Sequence, residues 1–175
     1  MKRLVKSIYK YTMRINKAFA FVRICLLIIT LQLSVQVNAK NYLINSSSEL
    51  NAITPGLMPG DTIRLSSGNW TDEELLLEGK GTIDDNIVLT VESENETILT
   101  GASQLVICGE YLTVDGLRFE NGYRNNDAVV EFRKNSSELA HNCRLTNTTI
   151  SNYNPSDKDT DYKWVSIYGW RCRSK

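Results

Sequence analysis

Five cations in the second half of the chain are the residues whose type and placement could do chemistry: Arg118, Arg124, Arg133, Lys134 and Arg144. Guanidinium and ammonium groups pair with carboxylates and phosphates, so a cluster of them would receive a polyanion. The charge distribution favours that half. Residues 40–116 hold 3 basic against 13 acidic side chains, a net charge of −10, whereas residues 117–175 hold 10 against 7, a net of +3. A polyanion is therefore drawn only to the later half. The plainer reading, scattered surface charge, accounts for the same five residues.

The other reactive side chains point to less. His141 is the single histidine, has no neighbouring nucleophile or second ligand, and reads as a solvated loop residue. Asp157, Asp159 and Asp161 alternate as at the start of a calcium loop, but the glycine at its sixth position and the glutamate at its twelfth are missing. They read as a surface loop, and no metal ligand is assigned. The carboxylates between Asp72 and Glu96 read as a solubilising face. Of the four cysteines, Cys108, Cys143 and Cys172 follow the leader described below. Their odd number and the lack of a C-x-x-C pair argue against a disulfide framework and against zinc. Cys108 and Cys143 lie in apolar strand patterns and are expected as buried free thiols.

The elements that must position these residues begin after a leader. Residues 1–39 contain seven Lys and Arg and no Asp or Glu, then the apolar run Ile24 to Leu31, then Val37-Asn38-Ala39. A basic segment, a short apolar core and a small-residue exit define a signal peptide over 1–39, cleaved after Ala39. The expected destination is secretion or the periplasm. Met13 is an alternative start. A membrane anchor needs about 20 apolar residues, and Gln32, Ser34 and Gln36 interrupt the run. A lipoprotein needs a cysteine after the apolar core, whereas Cys25 stands at its front. Against 13 basic residues, all 20 acidic ones follow the leader, so the remainder carries a net charge of −7.

From Ser46 to Thr54 the chain predicts one short helix: Ser46-x-x-Glu49 is a capping box, Leu50 and Ile53 form an apolar stripe, and Pro55-Gly56 ends it. Thereafter short alternating runs recur. Ile63-x-Leu65, Ile87-x-Leu89-x-Val91, Leu112-x-Val114 and Cys143-x-Leu145 start at intervals of 24, 25 and 31 residues. Leu112-x-Val114-x-Gly116-x-x-Phe119 superposes without a gap on Cys143-x-Leu145-x-Asn147-x-x-Ile150, each bending at a residue that tolerates positive φ. Ala128 to Phe132 and Lys163 to Ile167 fit a further strand before each such unit. Strand, bend, strand and variable loop at this period predict an all-β fold, a right-handed parallel β-helix with a short N-terminal capping helix. An antiparallel sandwich is the competing architecture, but no two-residue hairpin signal joins matched runs.

These residues carry a likeness. Pro59-Gly60-Asp61-Thr62-Ile63, Gly68-Asn69-Trp70, Ile98-Leu99-Thr100-Gly101, Leu112 to Phe119, Asn142-Cys143-Arg144-Leu145 and Trp164 to Gly169 resemble the first coils of polysaccharide lyase family six, which holds alginate lyases and chondroitinase B. The likeness runs from about Asn41 to Gly169. It implies an activity, β-elimination on acidic polysaccharides such as alginate. It also implies a calcium ion that neutralises the uronate carboxylate, a Lys base and an Arg that assists the leaving oxygen. In that family those groups lie on coils beyond the strand matching Trp164 to Gly169, and residues 170–175 lack alternation. The expectation is an N-terminal fragment over 40–169 with an aberrant end, inactive alone, with no catalytic residue and no calcium of its own. The five cations become candidates for the edge of a substrate subsite. Two other classes stay open: a non-catalytic carbohydrate-binding or adhesin-like solenoid, and a pectin-lyase-like enzyme.

Overall fold

The computed structural model describes residues 39–125 and 127–167, with Arg23. The expected signal peptide's apolar run, Cys25, Cys172 and the run from residue 168 lie outside the described residues. Strand β1 (Asn41–Ile44) opens the fold and leads into helix α1 (Ser47–Ile53). The helix starts where the capping residues place it. Ser46 Oγ accepts from the Glu49 N–H at 3.2 Å, and Glu49 Oε2 accepts from the Asn45 N–H at 2.7 Å, one residue further back than a standard capping box. A short 3-10 turn over Thr54–Gly56, with Pro55 inside it, ends the helical segment.

Coils follow. The first comprises β2 (Thr62–Leu65), β3 (Gly68–Thr71) and β4 (Glu74–Lys80); the second β5 (Ile87–Val91), β6 (Thr97–Gly101) and β7 (Gln104–Glu110). The third comprises β8 (Leu112–Asp115), β9 (Arg118–Gly122) and a third-row strand in two pieces, β10 (Ala128–Glu131) and β11 (Ala140–His141). The fourth comprises β12 (Arg144–Thr146), β13 (Thr149–Tyr153) and β14 (Lys163–Ser166). All pairings between these strands are parallel, in three sheets: β1-β2-β5-β8-β12, β3-β6-β9-β13, and β4-β7 continued by β10-β14, with β11 beside the end of β7. This is a parallel β-helix.

Alternation puts one side of every strand inside. Ile63, Leu65, Leu89, Val114, Leu99, Phe119, Leu75, Leu77, Leu105, Ile107 and Val130 are fully buried and form one continuous core. Leu50 joins it from the helix, which packs on β1 and β4 and covers the first third-row strand. The register confirms the gapless superposition, since Val114 pairs with Leu145 and Phe119 with Ile150. Gly116 and Asn147 bend with φ of 80° and 47°. One spacing differs from expectation. Ile63 pairs with Leu89 and Leu65 with Val91, so the first interval is 26 residues, two more than the pattern suggested. A shift of two keeps the same side chains inward, so alternation alone does not distinguish the two registers.

Several turns are filled by polar side chains stacked between coils. Asn152 Nδ2 donates to Asn121 Oδ1 at 2.7 Å, both residues at positive φ. Asp72 Oδ1 accepts the Ala102 N–H at 2.7 Å and occupies the space a Cβ on Gly101 would need. The buried Asp61 carboxylate accepts the Lys40 and Met58 N–H groups at 2.8 and 2.9 Å. The carboxylates of Glu73 and Glu92 do similar work on Ser47 and Ser67 N–H. Part of the acidic surface is thus structural rather than only solubilising.

Candidate functional site

The fold distributes the five candidate cations over all three sheets. Arg118 lies on the second sheet, where its Nε donates to Glu120 Oε1 at 2.7 Å. Arg144 lies on the first sheet, in β12. Arg124, Arg133 and Lys134 gather beside the outer face of the third sheet. Arg124 is the most enclosed, its side chain only 14% exposed. It donates to the Ala102 carbonyl and Gln104 Oε1, both at 2.9 Å, and pairs with Glu74 and Asp127. Arg133 holds Glu131 at 3.0 Å. Lys134 reaches Glu78 at 2.8 Å, and that hydrogen bond holds its ammonium above the usual lysine range. Four of the five candidates are therefore committed to carboxylates within the chain.

The outer face of the third sheet is a shallow trough. Leu76, Val106, Gln104 and Glu74 floor one part of it beside Ser47 and Asn51 of the helix, and Lys134 borders it. Glu78, Gly79, Cys108 and Gly109 floor the other, under Thr54, Pro55 and Leu57. The loop between β10 and β11 forms a wall. It is closed by a bridge between Arg133 and Leu139 and by Asn135 Oδ1, which accepts the Ser137 and Glu138 N–H groups. Asn135 Nδ2 also donates to Glu138. Cys108 is buried as expected, and burial, then Glu78 and Glu138, pushes its thiol up. Cys143 is only half-buried, because it stands just ahead of β12 at the end of the described coils, and burial also raises its thiol. Both cysteines are free. Neither thiol is activated as a nucleophile.

His141 is exposed, but in the short strand β11 opposite Glu110 rather than in a loop. Asp157, Asp159 and Asp161 are exposed, and the Asp157 carboxylate accepts the Asp159 N–H at 3.0 Å. Among the described residues, no three His, Cys, Asp or Glu side chains come together to hold a metal ion. The described coils supply charge and surface for binding, and none of their side chains is arranged as a nucleophile with its base.

The corner between the third and first sheets is what sequence reasoning missed. There Ile83, Asn86, Tyr111, Asn142, Cys143 and Arg144 line a pocket. Tyr111 and Asn142 both have φ of 53°. For asparagine that conformation is cheap; for a ring-bearing residue it costs on the order of 1 kcal/mol or more. The gapless superposition of Leu112 on Cys143 already sets Tyr111 opposite Asn142, and this was the available signal.

The family model for chondroitinase B matches residues 44–175. The fold and this match together show that the chain belongs to the chondroitinase B family, within polysaccharide lyase family 6. Among solved structures it resembles the PL6 family alginate lyase AlyGC at 35% identity and a TM-score of 0.71, covering 74% of this chain and 18% of that one. A mannuronic acid specific family 6 lyase from human gut microbiota matches at 26% identity and a TM-score of 0.65, covering 73% of this chain and 31% of that one. The family 6 lyase Pedsa3628 from Pseudopedobacter saltans matches at 31% identity and a TM-score of 0.62, covering 71% and 28%. The chain thus spans less than a third of the length of these relatives. No curated protein matches it. No helix among the described residues is long and apolar enough to cross a membrane.

Proposed function

We propose that this chain forms the N-terminal coils of an exported lyase that cleaves an acidic polysaccharide by β-elimination, with alginate the leading substrate. The observation that carries the reading is the chondroitinase B match over residues 44–175, laid on parallel coils stacked in register. The likeness to an alginate lyase and to a mannuronic acid specific lyase favours a uronate polymer. Export rests on the basic, apolar and small-residue order of residues 1–39.

In such chemistry a calcium ion would neutralise the uronate carboxylate and acidify the neighbouring C–H. The described residues assemble no carboxylate set for it. Their contribution is mechanical. They seal the first coil with α1 and set the register on which later coils stack.

The test is a graft. The chain alone, incubated with alginate and followed by the ultraviolet absorbance of unsaturated uronate, is expected to give no product. Residues 40–167 grafted in place of the first coils of a family 6 alginate lyase are expected to give a folded, active enzyme. Product from the chain alone, or a folded chimera inactive on every uronate polymer, would overturn the reading.

A further inference from the structure

We propose that the corner pocket around Tyr111, Asn142 and Arg144 binds one carboxylate-bearing sugar ring, an assignment that rests on the acidic-polysaccharide reading above. The pocket has a volume of about 360 Å³ and is built by three successive coils: Ile83 and Asn86 from the second, Tyr111 from the start of the third, Asn142 and Arg144 from the fourth. Two inter-strand steps of about 4.8 Å separate the outermost coils, a span that suits one pyranose ring with its substituents.

Arg144 is the candidate cation that differs from the rest. It is exposed and makes no ion pair among the described residues, whereas Arg118, Arg124, Arg133 and Lys134 each hold a carboxylate. A uronate carboxylate would give it the bidentate partner that the chain does not. The Asn142 amide and the Tyr111 hydroxyl likewise have no hydrogen-bond partner among the described residues, and Asn86 Oδ1 is a buried acceptor left unsatisfied while Asn86 Nδ2 donates to Thr113 Oγ1 at 3.1 Å. Sugar hydroxyls are the complement of such groups. Ile83, 76% exposed, and the Tyr111 ring offer an apolar surface for the face of a sugar ring.

Two observations bear on whether the site tolerates a negative ligand. Asp85, in the same loop as Ile83, has its side chain beside Gly60, and Glu110 is paired with Lys80 at 3.7 Å. Asp84 is the remaining acid of that loop and is exposed to solvent. The held conformation of Tyr111 points the same way as the unpaired groups: a strained backbone is kept where its side chain is needed.

The experiment titrates the chain with sodium glucuronate and, in parallel, glucose, following backbone amide shifts by NMR. Glucuronate is expected to shift the amides of residues 83–86, 111 and 142–144 with millimolar affinity, at least tenfold tighter than glucose. Arg144→Gln is expected to abolish that preference. Tyr111→Gly, which relieves the backbone, is expected to weaken binding while the chain stays folded. Lys158→Gln, on a distant exposed loop, is expected to leave binding unchanged. Equal affinity for the two sugars, or glucuronate binding untouched by Arg144→Gln, would overturn the site. The two readings fail separately: Arg144-dependent glucuronate binding alongside an inactive chimera would sink the lyase assignment and leave the pocket standing, and the reverse pair would do the opposite.

Discussion

Tyr153 and Ser103 are joined across the interior of the solenoid, the Tyr153 hydroxyl donating to the Ser103 carbonyl oxygen at 2.8 Å. The bond ties the fourth coil to the second. Ser103 is fully buried, and its own hydroxyl accepts the Glu73 N–H at 3.0 Å and lies 3.0 Å from the Trp70 carbonyl oxygen, which extends the tie to the first coil. The Tyr153 ring meets Phe119 edge-on, with centroids 5.8 Å apart. A single side chain thus links hydrogen bonding and aromatic packing through several coils.

Removing the hydroxyl with Tyr153→Phe is expected to cost about 1–2 kcal/mol, the price of a buried bond with its acceptor left behind. Tyr153→Ala empties the same space and is expected to cost about 3–5 kcal/mol. Urea unfolding of the two variants measures the difference. A Phe variant as unstable as the Ala variant would contradict this division between bond and packing.

Burial pushes the Tyr153 phenol up from its ordinary value of 10.0 to about 12. The folded chain therefore holds this proton after the unfolded chain has lost it. The stabilisation is fully present below pH 10 and is lost as pH rises through 12, at about 1.4 kcal/mol per pH unit between those values. Unfolding midpoints for the parent chain should fall more steeply over that window than those for Tyr153→Phe. Parallel curves would rule out a titrating Tyr153.

Gly109 sits at φ of 117°, and a Cβ there would stand 2.0 Å from the Gly79 carbonyl oxygen in the neighbouring coil. Gly109→Ala is expected to destabilise by more than about 3 kcal/mol, since backbone rather than a movable side chain blocks it. Gly56 has nothing within 4 Å of such an atom. Gly56→Ala is expected to stay within about 0.5 kcal/mol of the parent. Thermal melts of the pair check the contrast.

Arg124→Ala is expected to cost about 2–3 kcal/mol, because it leaves the Ala102 carbonyl and the Gln104 side chain without their donor at a largely enclosed position. Arg144→Ala should leave the melting temperature unchanged, since no described partner loses a bond. Equal effects would mean that enclosure does not separate the two residues.

Both described thiols are pushed upward by burial, so neither should alkylate quickly at neutral pH in the folded chain. Cys143, half-buried, should react before Cys108, which lies at 4% exposure. Peptide mapping after iodoacetamide treatment reads the order, and rapid labelling of Cys108 under native conditions would contradict the burial described.

Much of this molecule was legible in its amino-acid order. The inward residues, the capping of α1 and the bends at Gly116 and Asn147 are local properties: alternation has a period of two, and only a few residue types tolerate positive φ. The family likeness was legible for the same reason, because a coil repeats these local signals at a near-constant spacing. The candidate cations were legible only as residue types. That Arg118, Arg124, Arg133 and Lys134 already hold carboxylates depends on partners 2 to 56 positions away.

What only the tertiary structure decided follows from stacking. Alternation cannot tell a repeat of 24 residues from one of 26, and the pairing of Ile63 with Leu89 settles it. Tyr153 could equally have read as a surface residue of a loop; the coils above it turn it inward onto Ser103. The corner pocket left one trace in the sequence, Tyr111 standing opposite Asn142, and its other residues, from positions 83 to 144, meet only when three coils are laid in register. The amino-acid order by itself determined which side chains face inward and where the chain bends. Stacking determined which of the outward residues become neighbours, because in a solenoid lateral contacts are made between coils and not along the chain.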